Sequence, residues 1–338
     1  MKASICIPTV NRLEFFREAL ESAASQTFDD YEVLVSVNSS DSDYHEQVAM
    51  AVAEVRGRHP RRTIRMVRPP EFLHIADHTN FLVDNARGAY WCYLADDDKL
   101  EPQFLETLVS LLDAHGDAGF AFCRFMIIDE WGIPHPDLAA RDARITHLDS
   151  LTEGFVPPAT LPRLALWNAL MLPCSAFRRT FLEQFGFESG HAAPDRDLWL
   201  RIADAPGGLG AVYALVPLVS YRHHGHSYTR LTSRSQRDLV RTLETCGNVA
   251  GAEPRVYRQE MARIHGKLGK SLLDEGRHRE AWRALLTSMR ENGRDWHTYR
   301  FVLQALMPDA ALRCLRAIRR KLSTRPSHEA AATRPPIE

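Results

Sequence analysis

The chain has 338 residues, of which 45% are hydrophobic and 25% charged, and its formal net charge is −1. That length suits two domains, or one large domain with an appendage, and the composition is that of a soluble globular protein with a sizeable core. A nearly balanced charge excludes a molecule-wide electrostatic trap for nucleic acid, so a charged partner has to be met by a local patch. From the N-terminus, "SICI" (4–7) and "EVLVSV" (32–37) read as strands. Between them "LEFFREALESAASQ" puts Phe15, Phe16, Ala19, Leu20, Ala23 and Ala24 on one helical face, which makes a βαβ unit. Further strands are expected at 63–67, 90–95 and 119–125, and helices at 75–86 and 102–114. The alternation predicts an open α/β sheet with helices on both faces, in which ligands bind beyond the carboxyl ends of the strands.

Residues 135–170 are irregular and proline-rich and read as an extended or looped segment of the kind used for lids and binding loops. Beyond about 235 the strand signals stop, and helical patterns follow at 256–275, 278–291 and 295–306. The chain thus divides into an α/β domain over 1–230, a helical region over 235–322 and a disordered tail over 323–338. Within the helical region, 310–322 ("AALRCLRAIRRKL") sets Leu312, Leu315, Ile318 and Leu322 on one side and five basic residues largely on others. Such a helix suits peripheral contact with an anionic membrane surface, or simply closes the helical region.

Six cysteines carry no CxxC pair and no zinc spacing, which fits a reducing compartment. No apolar run is long enough to span a membrane, and "MKASICIPTVNR" lacks a secretory h-region of adequate length. The expected location is cytoplasmic.

The strand at 90–95 ends on three carboxylates, Asp96, Asp97 and Asp98, in "YLADDDKLEP". Like charges persist side by side where a cation is meant to arrive. With "IPTVNR" (7–12), "VLVSVNSSDSD" (33–43), "FGFESGHAAPDRDLWLR" (185–201) and "SYRHHGHS" (220–227), this stretch resembles the family-two glycosyltransferases of GT-A fold, over roughly residues 2–228. The resemblance implies an inverting enzyme that moves a sugar from a nucleotide-sugar donor to a carbohydrate or lipid-linked acceptor, in polysaccharide or glycolipid assembly.

Chemistry explains the parts. Charge develops on the departing diphosphate, and hard carboxylate oxygens suit the Mn²⁺ or Mg²⁺ that would stabilise it. By the resemblance Asp96 faces the ribose, and Asp97 or Asp98 holds the metal. Counting back from Pro102 favours Asp97, whereas reading 96–98 as Asp-x-Asp favours Asp98. Asp195 matches the family's base, which takes the acceptor hydroxyl's proton, a role worth about 10²- to 10⁴-fold; it also stands where a helix N-cap would. Asp197 reads as structural. His224 aligns with a family histidine that helps hold the metal or the diphosphate, and Arg222 suits either a phosphate contact or an ordinary salt bridge.

Thr9, Asn11, Arg12, Asn38 and Asn80 match nucleotide-sugar-binding positions. Three positions depart from the family pattern: Val37 replaces an acid, Thr79 a cation, and Pro194 the glutamate before the base. Two of these, Val37 and Pro194, give some support to a noncatalytic sugar- or nucleotide-binding scaffold. A sugar-phosphate nucleotidyltransferase would also use acidic metal ligands, but "IPTVNR" lacks the glycine-rich loop such an enzyme needs.

Overall fold

A computed structural model describes residues 1–224, 232–293 and 299–303. In chain order the elements are β1 (Ala3–Thr9), α1 (Leu13–Ala24), β2 (Tyr31–Val37), α2 (Ser42–Arg58), β3 (Thr63–Val67), α3 (Ile75–Asn85), β4 (Tyr90–Tyr93), β5 (Lys99–Leu100) and α4 (Phe104–Ala114). They continue with β6 (Ala118–Ile128), α5 (Pro136–Ile145), β7 (Gly154–Val156), α6 (Leu161–Leu166), β8 (Ser175–Arg178), α7 (Arg179–Leu182), α8 (Pro194–Asp204) and β9 (Gly210–Arg222). Four helices follow: α9 (Ser233–Thr245), α10 (Gly247–Ala252), α11 (Pro254–Asp274) and α12 (His278–Glu291).

The strands form one mixed sheet in the order β3-β2-β1-β4-β8-β6-β9-β5, with β7 paired to β9. β3, β2, β1 and β4 run parallel, β8 is antiparallel to both its neighbours, and β6 and β9 are again parallel. Successive strand residues point to opposite faces. In β1, Ile5 and Ile7 therefore join the core beneath α1, α2 and α4, while Cys6 joins the core on the other face with Trp91, Phe120 and Phe177. In β2, Val33, Val35 and Val37 divide from Leu34 in the same way. The second core also takes in Leu239, Leu243, Val249, Met261 and Ile264 of α9, α10 and α11. Helices thus cover both faces, as expected from sequence.

The segment 135–170 differs from its reading as extended or looped chain. It holds α5, β7 and α6, and α5 buries none of its residues. Prolines that read as loop punctuation stand in the first turns of α5 and α6, where a fixed φ and a missing N–H cost nothing. Among the described residues no helix is long and apolar enough to cross a membrane. The basic helix at 310–322, the tail from 323, most of the helix expected at 295–306 and His226 lie outside the described residues.

Candidate active site

The carboxyl ends of β1, β2 and β4 lie side by side and are tied together by their loops. Asn11 follows β1 with φ of +54°, a left-handed conformation that asparagine tolerates better than most residues. Its Oδ1 accepts from Ser39 Oγ at 3.0 Å, and the Asn38 N–H donates to Thr9 O at 3.1 Å. Asp41 caps α2 by accepting from the N–H groups of Asp43 and Tyr44. That cap holds the Tyr44 phenol against the Thr9 hydroxyl and lets it accept from the Arg12 N–H at 3.2 Å. Burial raises the pKa of this phenol.

Arg12, so positioned, reaches the acidic turn. Its Nη1 lies 2.6 Å from Asp97 Oδ2 and 3.3 Å from Asp96 Oδ1. Asp96 also accepts from the Val10 N–H at 3.2 Å. Burial pushes the Asp96 carboxyl up to about 6, with Arg12 opposing and Asp97 reinforcing. Asp98 faces inward: Oδ1 accepts from the Arg222 N–H at 2.8 Å, and Oδ2 is buried with no hydrogen-bond partner. Burial, then the charge of Asp97, drives its pKa well upward.

Arg222, the last residue of β9, is wholly buried and occupied. Nε donates to Asp97 O at 2.8 Å, Nη1 to Asp129 O and Glu130 O, and Nη2 to Glu18 Oε2 at 2.7 Å, while the guanidinium lies 4.8 Å from the centre of the Phe15 ring. It braces the acidic turn from behind. Two residues on, His224 Nε2 lies 2.9 Å from Asp97 Oδ2, with its ring 4.8 Å from that of Phe15. Arg12 and His224 therefore meet on one oxygen of Asp97. His223 is exposed; its N–H donates to Ile128 O and its ring meets that of Tyr221 edge-on.

Asp195 arrives by a separate route. Pro194 is the first residue of α8, where proline is well suited, and Ala193 rather than Asp195 occupies the N-cap position. The two residues after Asp195 are both anchored. Arg196 is buried against Glu260 of α11 and Leu166 O. Asp197 is fully buried and accepts from Arg201 Nε and Thr242 Oγ1, each at 2.7 Å. Asp195 itself is exposed and takes no hydrogen bond among the described residues. The Tyr93 phenol, at the end of β4, is raised by burial and then by the charges of Asp96, Asp97, Asp195 and Asp98. The four carboxylates, nearly a hundred residues apart in sequence, thus share the surroundings of one side chain.

Asn38 and Asn80 both turn their amides to backbone. Asn38 donates to Leu73 O at 2.8 Å and accepts from Leu73 N at 2.9 Å; Asn80 does the same with Phe187, at 2.7 and 2.9 Å. The second clamp ties α3 to the loop that leads to Asp195. Thr79 bonds within its own helix, and its neighbour His78 is buried against Ser36 Oγ with its pKa lowered by burial to about 4. Tyr44 and Glu18 are members of the site that motif reading does not find.

Among the described residues no three His, Cys, Asp or Glu side chains form a ready-made cation cage. The donors do fit Mn²⁺ or Mg²⁺. Asp97 and His224 converge, Asp98 Oδ2 is an orphaned buried oxygen beside them, and such ions are ordinarily held by one or two carboxylates together with substrate phosphates.

The family model "Glycosyl transferase family 2" matches residues 4–185. An uncharacterized glycosyltransferase of Rickettsia typhi is 26% identical over 272 residues, covering 80% of this chain and 77% of its own length. Another, of Rickettsia prowazekii, is 26% identical over 199 residues, 59% of this chain and 57% of that protein. In shape the chain is similar to the mannosyltransferase PcManGT of Pyrobaculum calidifontis, solved with GDP-Man and Mn²⁺, with a TM-score of 0.58, 18% identity and coverage of 95% and 83%. It is also similar to residues 1–349 of S. aureus TarS with UDP-GlcNAc, with a TM-score of 0.57, 12% identity and coverage of 88% and 93%.

Proposed function

The chain belongs to glycosyl transferase family 2, and from that premise we propose an inverting, metal-assisted enzyme that transfers a sugar from a nucleoside-diphosphate sugar to an acceptor hydroxyl, in polysaccharide or glycolipid assembly. The observation that carries this reading is the convergence of Arg12 and His224 on Asp97 in the acidic turn at the carboxyl end of β4. A divalent cation on Asp97, with His224 beside it and Asp98 behind, would supply positive charge to the departing diphosphate.

Asp195, exposed and free of hydrogen bonds among the described residues, takes the proton of the acceptor hydroxyl. The buried anchors on Arg196 and Asp197 hold its backbone while its side chain remains open to substrate. Asp96, steadied by the Val10 N–H and Arg12, orients the donor's ribose. Thr9, Asn11 and Arg12 form the donor's loop, and Asn38 and Asn80 shape its walls, each keeping one amide N–H and one lone pair for the nucleotide. Five buried, unpaired cysteines among the described residues accord with work in the cytoplasm.

The test is a screen for released nucleoside diphosphate across UDP- and GDP-sugars, with and without Mn²⁺. Asp97→Asn should abolish the metal-dependent signal. Asp195→Asn should slow transfer about 10²- to 10⁴-fold with donor binding intact. Transfer at the wild-type rate in Asp195→Asn would remove it as the base.

A further inference from the structure

A cleft of about 570 Å³ opens between the loop at 188–191 and α9, and the proposed donor site does not account for it. Its floor is polar, buried and saturated. Thr242 Oγ1 donates to Asp197 Oδ1, His191 Nε2 lies 3.2 Å from Thr242 Oγ1, and Asp238 Oδ2 accepts from the Ala192 N–H at 3.2 Å. Arg201, also in the wall, spends its fork on Asp197, Phe185 O and Gly186 O. The floor carboxylates are therefore engaged and do not offer a cation site.

The rim has the opposite character. Arg234, Arg237 and Arg241 stand three and four residues apart on α9, which puts them on one helical face. Among the described residues each spends a single N–H. Arg234 donates to Gly190 O at 3.0 Å, Arg237 to Glu280 at 2.9 Å, and Arg241, 78% exposed, to Asp238 at 3.5 Å. Most of three guanidinium forks is left to face a guest. Among the described residues the cleft is lined by charged and polar side chains and by no Phe, Tyr or Trp. The volume falls within the range of ligand sites, and the cleft is open to solvent along α9. Planar forks of this kind recognise phosphate and carboxylate groups bidentately.

The loop that walls the cleft runs through Ala193 into α8, whose second residue is Asp195. We propose that the cleft is an acceptor subsite for an anionic group, phosphate or carboxylate, carried on the acceptor some way from the hydroxyl that Asp195 deprotonates. This assignment rests on the transferase reading for its role, and on the arginine rim for its chemistry.

The experiment uses the full chain in EDTA, so that no metal-bridged binding contributes. Tripolyphosphate, trigalacturonate and neutral maltotriose are titrated calorimetrically into wild type, Arg234→Gln/Arg241→Gln and Arg234→Lys/Arg241→Lys. The expected result is binding of one anionic probe, about tenfold or more weaker in the glutamine pair, partly restored in the lysine pair and weakened by salt. The preferred anion separates phosphate from carboxylate. Equal binding to wild type and the glutamine pair, no binding of either anion, or equal affinity for maltotriose would overturn the assignment. Donor hydrolysis by wild type in Mn²⁺ is scored separately. Its absence, together with rim-dependent anion binding, defeats the transferase reading and leaves the anion site supported.

Discussion

Replacing Arg222 should destabilise the protein more than its single ion pair suggests. In Arg222→Met the backbone N–H to Asp98 survives, but Asp97 O and Glu130 O lose the guanidinium as donor, Asp129 O keeps only the Gly132 N–H, and Glu18 keeps only Lys99. Glu18 is 47% exposed, so water recovers most of that pair, which is worth about 0–1 kcal/mol. The three carbonyls are bonded by a guanidinium with no exposed side-chain surface, at about 1–1.5 kcal/mol each. The lost contact with Phe15 adds about 0.5 kcal/mol, for a total of about 3.5–6 kcal/mol. Arg222→Lys should lose about half as much, because one ammonium cannot reach acceptors on three sides. Urea denaturation followed by tryptophan fluorescence measures both differences, provided the slope is unchanged. A loss below about 1 kcal/mol in Arg222→Met, or full rescue by lysine, would refute the idea that this side chain braces the turn.

His78 supplies a pH signature. Its folded pKa of about 4 lies below the unfolded value near 6.5, so the unfolded chain binds the proton first. The contribution is complete above about pH 6.5 and drains away as pH falls toward 4, by up to about 3 kcal/mol. Urea titrations at pH 7 and 4.5 should show a smaller loss in His78→Gln than in wild type, and equal losses would contradict this. At Gly88 an added Cβ would lie 2.5 Å from Ser4 N and 2.7 Å from Ala3 Cα, which are β1 backbone atoms that cannot yield. Gly88→Ala should therefore cost about 3 kcal/mol or more, visible as a lowered melting temperature. Gly57→Ala, in α2 with nothing within 4 Å, should instead gain about 0.5–1 kcal/mol.

In the parallel half of the sheet β1, β2 and β4 were legible as short apolar runs, with amphipathic helices read at α1, α3 and α4, whereas α2 after β2 has a weakly amphipathic sequence and was not expected. In the other half β6 was read at 119–125, but β7, β8 and β9 were not. β9 carries Pro217 in its interior, a residue that argues against a strand, and the structure accommodates it where the register with β6 slips between Cys123 and Phe125. β8 has four residues and β7 three, too few for periodicity to register. At the site, local motifs marked Asp96, Asp97, Asp98, Asp195 and His224 because their chemistry sits in short signatures. Tyr44 and Glu18 carry no such signature. They matter through partners 32 and 204 residues away, and only the fold reveals those distances. Asn38 and Asn80 were recognisable as polar site residues, but their bonds to Leu73 and Phe187 are tertiary facts.

The bracing of the acidic turn also dictates an order of assembly. On the ribosome the three aspartates emerge after Arg12, 84 residues behind Asp96, but well before Arg222, which lies 124 residues ahead of Asp98. A nascent chain that stops short of residue 222 holds a cluster of mutually repelling charges with only half of its compensation. The turn reaches its final form when β9 takes its place between β6 and β5, so one late strand insertion would finish both the sheet and the acidic turn. Completion of the fold and onset of activity should coincide during synthesis.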